Sequence, residues 1–157
     1  MLIPSFIDKQ ELKALQSFFI NVDNEFVLNL FKIKNIPKEL NIVRNRCLAL
    51  FGECFIDPFL NDLFIRRKDN ELIPLHFDPT MNGFRHIRIN IMLQKPNIGG
   101  DIIDGNKTII LNESDAYIIE TSILHGLTLV KGSKDLMILS FGLQISNDDK
   151  SINSLLS

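Results

Sequence analysis

Residues 72 to 80 read LIPLHFDPT, which places His76 and Asp78 two apart in an otherwise apolar, strand-like stretch. Side chains at i and i+2 of a strand share a face, so this imidazole and carboxylate can turn toward one ion. A third donor from a neighbouring strand would complete a two-histidine, one-carboxylate face, which suits ferrous iron and leaves the opposite positions open. The chain has 3 histidines, so the choice is narrow. His86 is close in sequence but stands beyond the turn residues Pro79 to Gly83, whereas His125, in SILHGLTLV, belongs to a separate strand. Four or five intervening strands can bring His125 back beside the first pair. By itself a His-x-Asp is a weak motif, and a single histidine in an apolar strand is more often packed core. What gives the pattern weight is the pair, the distant histidine and the basic strand after it, taken together.

The elements that must position these residues fall into two groups. In the first third, Asp8 and Glu11 form a capping-box pair, and Ile7 and Leu12 occupy the staple positions around it. Leu12, Leu15, Phe18 and Phe19 then make one apolar stripe. A second helix is expected from near Pro37, with Leu40, Val43, Cys47, Leu50, Phe51 and Cys54 on one side. From about residue 62 the pattern becomes one of short strands, expected at 62–67, 72–78, 85–94, 107–111, 115–120, 123–130 and 134–145, with Gly, Pro, Asn and Asp turn signals between them. Such spacing favours a sandwich or barrel over βαβ units. Within RHIRINIML, Ile87, Ile89, Ile91 and Leu93 face one way, and His86, Arg88, Asn90 and Met92 the other. The polar face meets either water or a cavity.

Composition sets the outer bounds. At 157 residues, with 45% hydrophobic and 23% charged residues, the chain suits one globular domain with a sizeable core. A net charge of −2 and a pI of about 5.9 disfavour a general nucleic-acid or anionic-membrane binder. No apolar run approaches the roughly eighteen residues needed to span a bilayer. The opening MLIPSFIDKQELK lacks a basic region followed by an apolar one, so no signal peptide is expected and the cytoplasm is the expected compartment. Cys47 and Cys54 form no CxxC pair and are expected as reduced thiols on one helix face.

The order His76-x-Asp78, then Gly99-Gly100, then His125, then Lys134 nine residues on, resembles the iron(II)- and 2-oxoglutarate-dependent dioxygenases, most closely their prolyl-hydroxylase-like branch. The likeness covers roughly residues 62 to 143. It implies a mainly β fold, a double-stranded β-helix (jelly-roll, cupin-like) barrel with supporting N-terminal α-helices. A single domain over 1–157 is then expected, with helical support about 1–56, a jelly-roll core about 62–145 and a polar tail at 146–157. The resemblance makes His76, Asp78 and His125 the ligands of Fe(II), with 2-oxoglutarate as co-substrate and ascorbate as an optional reductant. Lys134 stands where this branch usually has an arginine for the distal carboxylate of 2-oxoglutarate, and lysine keeps the charge but loses the two-pronged fork. Arg67 replaces a tyrosine the family often has nine residues before the first histidine. The alignment turns Arg88 and Asn90 toward the barrel interior, where a dicarboxylate would partner a buried guanidinium. Lys134, Arg88 and Arg67 therefore compete for the co-substrate.

The implied reaction consumes 2-oxoglutarate and O₂, releases succinate and CO₂, and hydroxylates a C–H bond of a peptidyl side chain, a sugar or a small metabolite. Ile119, Leu127, Ile138 and Met92 are candidate apolar walls, and Ser140 shares the face of Lys134. The loops DPTMNGFRH and KPNIGGDIIDGNK are candidate gates. Two other readings stay open at this point: a cupin-type metalloprotein that uses no keto acid, and a non-catalytic jelly-roll binding module.

Overall fold

The computed structural model describes residues 1–22, 27–30 and 35–149. Its first helix, α1 (Lys9–Phe19), starts where the capping box predicts. The Asp8 carboxylate accepts from the Gln10 and Glu11 amides, and the Glu11 carboxylate accepts from the Asp8 amide. α2 (Lys38–Leu48) follows Pro37 and buries Leu40, Val43 and Cys47, the i, i+3, i+7 stripe of an amphipathic helix. Cys54 does not share that face. The helix ends at Leu48 and the chain turns, so Cys54 opens a short strand, β3 (Cys54–Ile56). Both cysteines are free thiols, and burial pushes Cys47 well above the usual thiol range.

Two antiparallel sheets form the body. The larger runs β1 (Leu2–Ile3), β9 (Ala116–Glu120), β6 (Phe84–Gln94), β11 (Leu136–Ser146), β4 (Leu63–Arg67) and β2 (Val27–Asn29), with β3 also pairing on β11. The smaller runs β5 (Ile73–His76), β10 (His125–Leu127), β7 (Ile102–Asp104) and β8 (Lys107–Ile109). Among the described residues no ladder joins the sheets, and a lone bridge links Ile98 with Lys131. The expected closed barrel is therefore an open jelly-roll sandwich. Its outer small-sheet strands, β5 and β8, are four and three residues long, and β5 contains Pro74, which has no amide to donate. The strands β1, β2, β3 and β7, two or three residues each, were not expected; they are too short to show an alternation. The expected polar tail runs into residues 150–157, which lie outside the described residues.

The alternation in β6 separates two cores. Ile87, Ile89, Ile91 and Leu93 pack with Leu15, Phe19, Leu40, Val43 and Cys47 of the helices, and Phe19 stacks on Phe64 of β4 at 4.2 Å. Met92 belongs instead to the cluster between the sheets, with Ile102, Tyr117, Ile119, Leu127, Leu136 and Ile138. Behind β6 the turn at Gly99 and Gly100 has φ of 72° and 69°, and a Cβ on Gly99 would run into the Leu129 carbonyl oxygen. Among the described residues no helix is long and apolar enough to cross a membrane.

One ion pair fastens α1 to α2. Arg46 donates to both Glu11 oxygens at 2.9 and 2.6 Å, and this bond is the main reason the Glu11 carboxyl lies below its ordinary range. Glu11 is buried while Arg46 is partly exposed, so Arg46→Met is expected to cost about 1–2 kcal/mol in a urea titration at pH 7. A carboxyl depressed in the folded state stabilises above its unfolded pKa and loses that contribution as the pH falls through the folded value. The gap between mutant and parent should therefore narrow as the pH falls below 4.5. A gap independent of pH would assign the effect to lost packing of the arginine stem.

Candidate metal centre

His76 closes β5 and His125 opens β10, and the two stand opposite each other in the ladder of the small sheet. Asp78 follows β5, with its amide donating to the Thr121 carbonyl at 3.1 Å. Asp78 Oδ1 then lies 3.4 Å from His76 Nε2 and 3.8 Å from His125 Nε2, and the imidazole centroids are 4.3 Å apart. One donor atom from each of the three residues lies within 4.8 Å of the others. Metal–ligand bonds of about 2.1 Å put adjacent donors about 3 Å apart, so small side-chain rotations suffice to close this set on one ion.

The histidine tautomers are fixed from behind. His76 Nδ1 lies 2.8 Å from the Pro74 carbonyl oxygen and His125 Nδ1 lies 2.9 Å from that of Ile123. A carbonyl only accepts, so each Nδ1 carries a proton and each Nε2, which faces Asp78, is the ring nitrogen a metal would take. Burial holds His125 below the usual imidazole range, which keeps it neutral at neutral pH. The His76 side chain is 41% exposed against 11% for His125 and 5% for Asp78, so the centre opens past His76.

The three donors line a cavity of about 400 Å³ between the sheets, together with Leu60, Pro79, Arg88 and Asn90. Its wall also includes Ile65, Ile73, Ile102, Leu127, Ile138 and Arg67, with Ile119 and Ser140. Arg67, Arg88 and Asn90 thus all face the cavity, but Lys134 does not. Its ammonium sits outside, 2.6 Å from Glu113, and its backbone amide is tied to Asn97, because the chain enters β11 only at Leu136. The expectation that Lys134 takes the co-substrate is corrected on that ground. Met92, also expected as a wall, is packed in the core between the sheets instead.

Arg88 lines the cavity and is held there by the protein's own carboxylates and by polar groups of β11 and the 57–61 turn. It donates through Nε to Asp78 Oδ2 at 3.0 Å, through Nη1 to Ser140 Oγ at 3.1 Å, and through Nη2 to Asp57 Oδ2 at 3.4 Å and the Asn61 carbonyl at 3.2 Å. Asp57, fully buried, was not foreseen. Burial opposes its ionisation, but the Leu60 amide, nearby His86, the Phe59 amide and Gln144 outweigh that and hold its carboxyl below the usual range. The Asp57-Pro58 dipeptide was the available signal, because aspartate before proline favours a turn closed by the aspartate side chain. His86 is no part of the donor set. It is buried with Nδ1 2.8 Å from Thr121 Oγ1, and burial followed by the Arg88 charge lowers its pKa.

No protein-family model matches the chain, and no curated protein matches it by sequence. Solved structures do. A viral collagen prolyl hydroxylase from Paramecium bursaria Chlorella virus-1, in complex with 2-oxoglutarate, superposes with a TM-score of 0.71 at 12% identity, covering 92% of this chain and 95% of that one. HygX from Streptomyces hygroscopicus with iron bound gives 0.71 at 11% identity, covering 94% and 82%. An oxidoreductase of the 2OG-Fe(II) oxygenase family from Burkholderia pseudomallei gives 0.67 at 14% identity, covering 95% and 84%. The chain therefore has the fold of the 2OG-Fe(II) oxygenases, and His76, Asp78 and His125 converge inside that fold as one possible metal-binding group.

Proposed function

We propose that this chain is an Fe(II)- and 2-oxoglutarate-dependent dioxygenase that hydroxylates a C–H bond while converting 2-oxoglutarate and O₂ to succinate and CO₂. The observation that carries the proposal is the convergence of three metal-competent donors at the mouth of a cavity between two sheets. His76 Nε2, His125 Nε2 and Asp78 Oδ1 would hold the metal, which when bound supplies the activation of oxygen. The remaining work belongs to the chain. Ile65, Ile119, Leu127 and Ile138 keep water from the reacting atoms, and Asn90 offers an amide to a bound oxygen atom. Arg67, on the cavity wall and paired with Leu136 at the start of β11, takes the distal carboxylate of the keto acid. Burial pulls its guanidinium below its ordinary pKa, and the nearby Glu71 carboxylate acts in the opposite direction.

The cavity of about 400 Å³ must admit the keto acid as well, so only a slender part of the substrate enters. That suits a peptidyl side chain, a sugar or a small metabolite. Two structural neighbours lie in this range: one is a collagen prolyl hydroxylase, and HygX has been solved with hygromycin B bound.

Anaerobic titration of Fe(II), with and without 2-oxoglutarate, tests the proposal. Metal plus keto acid should give the weak visible charge-transfer band of the chelate, followed in air by succinate release with ascorbate present. Metal binding without the band would indicate a cupin-type centre, and no tight binding of either would leave a non-catalytic module. A panel of peptides, sugars and small metabolites scored by succinate release then narrows the substrate.

A further inference from the structure

We infer that Arg88 is a positioning residue that joins the metal-binding carboxylate to the rim of the cavity, so that filling the metal site tightens the turn at residues 57–61. The inference rests on the donor set proposed above. Arg88 Nε holds Asp78 Oδ2 at 3.0 Å, which leaves Oδ1 to face both histidines. Asp78 is thereby presented as a one-oxygen donor, and the other positions around an ion stay open for keto acid and oxygen. The opposite edge of the same guanidinium reaches Asp57 Oδ2 and the Asn61 carbonyl. Asp57 in turn closes the rim, accepting from the Phe59 amide at 3.2 Å and the Leu60 amide at 2.9 Å, while the Asn61 amide donates back to the Asp57 carbonyl at 3.1 Å. Leu60 lines the cavity, and its neighbour Phe59 is 50% exposed.

The fold makes room for this bridge at one place. Gly142 of β11 lies against it, and a Cβ there would stand 2.9 Å from Asp57 Cβ, 3.0 Å from the Asn61 oxygen and 3.2 Å from Arg88 Nη2. A planar guanidinium can hold two carboxylates and a carbonyl at once; a lysine ammonium on a single nitrogen cannot span them. A ligand drawing on Asp78 Oδ1 steadies the whole carboxylate, and through Arg88 that constraint reaches Asp57 and the two amides it accepts from. Partners behind a metal ligand typically change metal affinity by about 10–100-fold when removed.

The test uses Mn(II) as a probe that needs no turnover, on the full chain and on Arg88→Lys, Arg88→Met and His125→Ala. Calorimetry reads affinity, and hydrogen exchange reads the Phe59, Leu60 and Asn61 amides with and without Mn(II). Both Arg88 variants should bind Mn(II) about 10–100-fold more weakly. In the parent, Mn(II) should slow exchange at these amides, and in Arg88→Lys that slowing should vanish while amides of α1 are unchanged. Arg88→Met leaves two buried carboxylates uncompensated, so if it does not fold, Arg88→Lys decides. A folded Arg88→Lys with Mn(II) affinity within about twofold of the parent, or with the Mn(II)-dependent slowing intact, overturns the inference. Parent-like Mn(II) binding by His125→Ala would overturn the donor set itself, a separate outcome.

Discussion

His125→Ala is expected to abolish Fe(II)-dependent succinate formation while leaving a folded protein. His125 supplies one of three donors and approaches Asp78 from a different segment of chain, so nothing else among the described residues can replace it. Removing a direct ligand should cost more than the roughly 100-fold that outer partners produce. The effect on folding should be modest, about 1 kcal/mol. The residue lies in a three-residue strand whose backbone is paired on both sides, with His76 and with Asp104, and those ladders do not depend on the imidazole. Metal titration, succinate assay and a thermal melt check the three parts together. Turnover at the parent rate in a folded variant would remove His125 from the site.

The second large effect separates two basic residues that sequence alone could not rank. Arg67→Ala is expected to raise the 2-oxoglutarate KM about 10- to 100-fold with kcat little changed. That range corresponds to a charge-assisted contact of about 1.5–3 kcal/mol made equally in ground and transition states. Lys134→Ala should leave KM within about twofold, because its ammonium is paired with Glu113 on the surface rather than turned into the cavity. Saturation curves in the keto acid for both variants check this. A reversal, with Lys134 sensitive and Arg67 silent, would mean that the entrance to β11 rearranges on binding.

Several features of this architecture could be read from neighbouring residues alone. The box of Asp8 and Glu11 started α1 where expected, because both partners lie within one helical turn. The alternation of isoleucines with His86, Arg88 and Asn90 survived as the two faces of β6, because pleating is a property of the strand itself. Cys54 was misplaced for the complementary reason. Its helical spacing from Cys47 was real, but the helix stopped at Leu48, and pairing of residues 54–56 with β11 claimed the segment.

The candidate site divides along the same line. The residue types in His76-x-Asp78 and the distant His125 are sequence properties, and two-residue spacing already lets the first pair turn one way. Whether His125 meets them depended on the small sheet pairing residues 125 and 76 across some fifty positions, which no local pattern encodes. Charge partners depended on tertiary structure even more. Arg88 was legible as a buried guanidinium needing an anion, but Asp57 could be named as one of its anions only after folding carried residue 57 under β11. Lys134 kept the spacing of a co-substrate ligand and lost the position, because the strand began two residues later than its sequence suggests. Composition and periodicity act over a few residues and so determine elements and faces. Which faces enclose a cavity, and which charges meet inside it, is decided by contacts between segments far apart in the chain.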